Sequence, residues 1–119
     1  MTGNKLKILL IDNNNMRLRD STSLMQCCGD FCINPKLTVS QNDYESSSYD
    51  VVFAHYGNKE VRDYIADDDW NSNGAIVVIF SGSLSKDKQV DDYGTWWVSA
   101  SYLEKKENIC AIFQEVIEK

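Results

Sequence analysis

The chain has 119 residues, 43% of them hydrophobic and 25% charged, the composition of one globular domain (1–119) able to bury its own core. Twelve basic against eighteen acidic residues give a net charge of −6 with no basic run, which argues against nucleic acid as a partner. No apolar run approaches the ~20 residues of a membrane span, and the polar opening does not read as a secretory signal.

The expected location is therefore cytoplasmic. Cys27, Cys28, Cys32 and Cys110 are accordingly expected as reduced, small core residues. Their C-C-x3-C spacing lacks the paired knuckles of a structural zinc site, so no metal is assigned to them.

Residues 7–12 (Lys-Ile-Leu-Leu-Ile-Asp) form a short apolar run ending in a carboxylate, which suits a strand buried on both faces. Asn13, Asn14 and Asn15 offer loop and N-cap chemistry. A helix follows from Met16, with Leu18, Met25 and Cys28 on one face and Gly29 as its left-handed terminator. Residues 31–33, extended by 37–39 beyond Pro35, read as a weaker second strand. Residues 41–48 are polar and ambiguous, with a short helix as one reading.

Residues 49–54 make a third apolar strand. Residues 58–69 read as a helix with Val61, Tyr64 and Ile65 inward; the run Asp67, Asp68, Asp69 is a solvated end, poorly placed for the helix dipole. Residues 75–80 are the strongest strand. Residues 83–93 look like a polar helix carried by Leu84, Val90 and Tyr93. Residues 95–102 contain a fifth strand, and 108–119 an amphipathic helix with Ile109, Ile112, Phe113, Val116 and Ile117 on one face.

Strands alternating with helices, five of each, imply a parallel sheet built by right-handed crossovers. On such sheets ligands bind beyond the carboxyl ends of the strands. The residues there are Asp12 and Asn13, His55, Ser81, and the stretch 102–105.

At these positions the chain resembles a receiver domain of bacterial two-component signalling, over residues 7–119. The resemblance implies a flavodoxin-like (βα)5 three-layer sandwich with a five-stranded parallel sheet. In that family two acidic residues after the first strand hold Mg²⁺, and an aspartate ending the third strand accepts a phosphoryl group. A Ser or Thr ends the fourth strand, and a lysine followed by proline ends the fifth. Asp12 keeps the first acid and Asn13 replaces the second. His55 stands where the phosphoacceptor would be, and Ser81 keeps the hydroxyl. Lys105 matches the lysine, with Lys106 in place of proline, and Tyr102 falls at the aromatic switch position.

Phosphoryl transfer in such a pocket is a matter of positioning and electrostatics, with Mg²⁺ requiring hard oxygen ligands. Asp12 is the only carboxylate left of three. Asn13 and the Gly57 carbonyl could offer only neutral oxygens, and His55 cannot form an acyl phosphate. The resemblance thus implies a non-phosphorylatable pseudo-receiver. Such a domain is a non-enzymatic regulatory module, without cofactor, that binds a kinase, regulator or effector protein. The contact would use the face of the fourth helix, fifth strand and fifth helix, with a homodimer left open.

Simpler roles stand beside these. Asp12 is expected to pair with Lys105, His55 to be a hydrogen-bonded structural histidine, and Ser81 to cap the following helix. Trp96 and Trp97 face opposite sides of a strand; Tyr93, Trp96 and Tyr102 are a candidate partner surface. Two competing functions remain. A flavodoxin-like ligand or cofactor protein would need a glycine-rich loop after the first strand, where this chain has Asp12-Asn13-Asn14-Asn15. A metal-binding switch would use Asp12, His55 and a cysteine.

Overall fold

The computed structural model describes residues 6–38, 49–65, 76–82, 88–91 and 94–117. Along the chain these form β1 (Lys7–Ile11), α1 (Asn15–Gln26), β2 (Cys32–Lys36), β3 (Val51–His55), α2 (Lys59–Ile65), β4 (Ile76–Ser81), β5 (Lys88–Val90), β6 (Trp96–Ser99), a 3-10 turn (Tyr102–Glu104) and α3 (Lys106–Ile117). The sheet order is β2-β1-β3-β4-β6-β5. The first five strands in that order run parallel, as in a flavodoxin-like sheet, and β5 adds an antiparallel edge.

The apolar runs read as doubly buried strands because each residue faces a core. Ile8, Leu10, Val51, Phe53, Val78, Phe80, Trp96 and Val98 point to the face covered by α1 and α3. Leu9, Ile11, Val52, Ala54, Val77 and Ile79 point to the other, with Val61 of α2. The period of two in a β-strand sorts one unbroken run into these two cores. Ile109, Ile112 and Phe113 of α3 are buried as their spacing requires. Phe113 lies between Phe53 and Phe31, at ring-centroid distances of 5.4 and 4.5 Å.

The structure corrects the sequence reading in several places. The sheet has a sixth strand, because residues 88–90, expected within a polar helix, form β5 beside β6. The competing signal is the connection that follows. Gly94 takes φ 84°, a left-handed conformation that favours glycine. Asp91 Oδ1 accepts the Thr95 N–H at 3.0 Å, and Asp91 Oδ2 accepts the Trp97 Nε1–H at 2.9 Å. These bonds close a hairpin, which overrides the thin helical periodicity.

β2 runs through Pro35 instead of breaking around it. It is an edge strand, where a missing N–H costs no ladder bond. Gly29 does not terminate α1 in a left-handed conformation; the C-cap is Cys27. Its hydrogen matters for space, since a Cβ there would stand 2.9 Å from the Phe31 ring.

β6 ends at Ser99, and Tyr102 lies in the 3-10 turn beyond it. Cys28 and Cys110 are joined in a disulfide and are not free thiols; Cys27 and Cys32 are exposed instead of buried. Tyr93, the ambiguous segment 41–48 and the acidic run 67–69 lie outside the described residues.

Candidate functional site

The parallel sheet brings the ends of β1, β3 and β4 to one edge, and with them Asp12, His55 and Ser81. Asp12 is 1% exposed and its main-chain N–H donates to the Lys36 carbonyl at 3.1 Å. A carboxylate so deeply buried needs partners. Arg17 supplies them, donating from Nε to Oδ2 and from Nη2 to Oδ1, both at 2.7 Å. The Asn14 N–H adds a third bond to Oδ1 at 3.0 Å. Lys105, expected as the partner of Asp12, is exposed between the 3-10 turn and α3 and makes no ion pair with it. The reason is geometric: Lys105 comes six positions after Ser99, the end of β6, on the far side of the 3-10 turn.

Arg17 reaches Asp12 through local structure. Asn14 caps α1, its side chain accepting the Arg17 N–H at 2.9 Å. Arg17 thus sits in the first helical turn, and side chains there lean back toward the helix N-terminus. The planar guanidinium fork matches a carboxylate bidentately. Its Nη2 also donates to Asn13 Oδ1 at 3.2 Å. The bond to Asp12 raises the Arg17 pKa. Sequence reasoning passed over Arg17, although one signal was present. A cation in the first turn opposes the helix dipole, so an arginine there implies a compensating acid nearby, and Asp12 is five residues upstream.

His55 ends β3, half-buried, its ring edge-on to Phe80 at 5.2 Å. Nδ1 accepts the Gly57 N–H at 3.0 Å. Nε2 faces Arg17 Nη2 at 3.4 Å; the bond from Gly57 calls for a proton on Nε2 and a bond from Arg17 for one on Nδ1, so the neutral ring accepts one of the two. Burial lowers the His55 pKa; Asp12 opposes the shift and Arg17 adds to it. Gly57 closes tightly on this ring, since a Cβ there would lie 2.6 Å from His55 Cε1 and 3.2 Å from Asn13 Nδ2. The hydrogen bonding expected of His55 is present.

Ser81 is half-buried opposite Ser99 in the β4–β6 ladder. Asn58, buried just before α2, donates from Nδ2 to the Leu37 carbonyl at 2.9 Å, while its Oδ1 has no hydrogen-bond partner among the described residues. Trp96 is 3% exposed and belongs to the core, so it offers no surface to a partner. Trp97 lies on the opposite face, edge-on to Tyr56 at 5.7 Å. Tyr102 is half-buried, its N–H donating to Ser99 Oγ and its carbonyl accepting from Asn108 Nδ2. A groove of about 510 Å³ runs beside the site, between Met16, Arg17 and Leu24 of α1 and Phe80, Ala100 and Leu103.

The donor set does not fit Mg²⁺. That ion requires octahedral oxygen ligands, commonly one or two carboxylates with waters. The Asp12 carboxylate has both oxygens on Arg17, and the neighbouring imidazole is a poor ligand for a hard cation. Among the described residues no group of three or more His, Cys, Asp and Glu converges.

Comparison of the whole structure with solved proteins gives three informative similarities. The BeF3-activated DrrB receiver domain matches at TM-score 0.66 and 14% identity, over 98% of this chain and 100% of that one. The chain has the receiver fold. HP1043, an orphan response regulator of H. pylori, matches at TM-score 0.68 and 12% identity, covering 94% of this chain and 96% of that one. A putative pilus assembly-related protein from Burkholderia pseudomallei matches at 0.69 and 10%, over 93% and 88%. No protein-family model matches the chain, and no curated protein matches it. Among the described residues no helix is long and apolar enough to cross a membrane.

Proposed function

We propose that this chain is a pseudo-receiver, a signalling module that regulates by protein contact and takes no phosphoryl group. The observation that carries the reading is the Arg17 guanidinium on Asp12, a fixed internal cation where the receiver resemblance would place Mg²⁺. Its charge neutralises the one carboxylate left, while Asn13 and His55 add none. His55 is held neutral and its lone pair faces the Gly57 N–H or Arg17, so it is poorly disposed as a phosphoryl acceptor. The module is non-enzymatic on this reading, and cytoplasmic. Its partner is a protein, contacted through β6, the 3-10 turn at Tyr102 and the exposed side of α3, with self-association as the alternative occupant. The net charge of −6 favours a protein partner over nucleic acid.

The test is incubation with acetyl phosphate and Mg²⁺ followed by intact-mass measurement. The unmodified mass is expected throughout, and stoichiometric phosphorylation would sink the reading. A second reading is favoured by the groove beside α1, whose volume lies in the range of small-ligand sites. It would make the chain a ligand-binding protein. Saturable thermal stabilisation by a small molecule, abolished by Leu24→Trp, would support it.

A further inference from the structure

Away from the Asp12 pocket, a disulfide ties the two helices on one face of the sheet. Cys28 lies just past the end of α1 and Cys110 early in α3, 82 residues apart in sequence, with Cα atoms 5.2 Å apart. Both side chains are half-buried, within reach of an attacking thiolate. The helix has anchors besides the bridge. Ile109, Ile112 and Phe113 bury completely beneath α3, and Phe113 stacks between Phe31 and Phe53. Opening the bridge also leaves a satisfied side chain, because the Leu24 carbonyl stands 3.5 Å from Cys28 Sγ and can accept a thiol hydrogen. A cross-link that is half-buried, laid over a helix anchored by its own apolar face and provided with a reduced-state partner has the properties of a switch.

We propose that Cys28 and Cys110 form a reversible thiol–disulfide site, opened by a dithiol and closed by a small disulfide oxidant such as glutathione disulfide, whose state sets how rigidly α3 is held against α1. In closing, one protein thiolate attacks the oxidant's S–S bond, forming a mixed disulfide and releasing one thiolate. The second protein thiolate then attacks the protein sulfur of that mixed disulfide and expels the other. Two protein thiols are oxidised, one disulfide is reduced to two thiols, and these take up the two protons. Opening reverses the exchange, with the dithiol ending as its own disulfide. The inference does not depend on the reading of the Asp12 pocket.

Exposed Cys27 and Cys32 are the competing thiols, so the test uses the full chain carrying Cys27→Ser and Cys32→Ser. It is equilibrated in glutathione buffers from reducing to oxidising, quenched, alkylated and weighed. The expected result is a reversible passage from two alkylated thiols to none. Reduction should lower the melting temperature by roughly 10 °C or more, with the far-UV spectrum retained. It should also speed amide exchange in α3 while leaving β3 and β4 protected. Cys110→Ser should match the reduced protein in every buffer. Two reactive thiols throughout the series would overturn the proposal, as would a bridge whose opening leaves α3 exchange unchanged. Global unfolding on reduction would also overturn it, making the bridge a structural staple.

Discussion

Arg17 and Asp12 form a bidentate ion pair, two bonds of 2.7 Å, in which the carboxylate is 1% exposed and the guanidinium side chain 39%. The asymmetry decides what each partner is worth. Removing Arg17 strands a buried charge, whereas removing Asp12 leaves a cation that reaches water. Arg17→Ala is expected to cost about 2 kcal/mol, below the range for a fully buried pair because the arginine is part-solvated. Asp12→Ala/Arg17→Ala should cost less than the sum of the single changes. Urea denaturation of the three variants measures this.

The neutral His55 makes stability depend on pH. Its folded pKa lies below the ordinary value near 6.5, chiefly through burial. The unfolded chain therefore binds the proton first as pH falls. The contribution is complete above about 6.5 and is lost as pH falls through the lowered folded value. Denaturation midpoints from pH 8 to pH 5 should show this decline, and His55→Gln should flatten it. Gly57→Ala should displace the ring, since its Cβ would overlap His55, and shift the same profile.

Phe113 carries the packing of α3. Phe113→Ala is expected to cost about 3–5 kcal/mol, the range for a buried aromatic truncated in a core. Phe31→Ala should cost less, since Phe31 is only partly buried. Equal losses would contradict the placement of Phe113 between the two rings.

Asp91 holds the β5–β6 connection through the Thr95 N–H and the Trp97 indole. Asp91→Ala should destabilise the domain by about 1–3 kcal/mol, the cost of leaving a partly buried donor unpaired. It should also deprotect the amides of β5 to hydrogen exchange while those of β1 and β3 stay protected.

The fold was legible where burial is two-sided. The runs ending at Asp12, His55 and Ser81 are apolar at every position because each strand faces two cores, and that signal does not depend on partners distant in sequence. It failed at residues 88–90, where Leu84, Val90 and Tyr93 imitate a helical period. There the decisive residues, Asp91 and Gly94, act through turn geometry instead of hydrophobicity. The site was half legible. Asp12, Asn13 and His55 stand at strand ends and are found by topology alone. Arg17 belongs to a helix and becomes part of the site only through the Asn14 cap that aims it. The disulfide depends on the packing of α1 against α3, which no spacing of cysteines reveals.

On the proposed reading Arg17 closes the pocket to divalent cations, and a Mg²⁺ titration followed by amide chemical shifts decides the matter. Wild-type protein is compared with Asn13→Asp/Arg17→Ala/His55→Asp, which returns the carboxylates and removes the internal cation. The wild type is predicted to show no saturating shifts at Asp12, Asn13 or His55 through the millimolar range, and the triple variant to saturate within it. Saturation of the wild-type signals at submillimolar Mg²⁺ would contradict the claim.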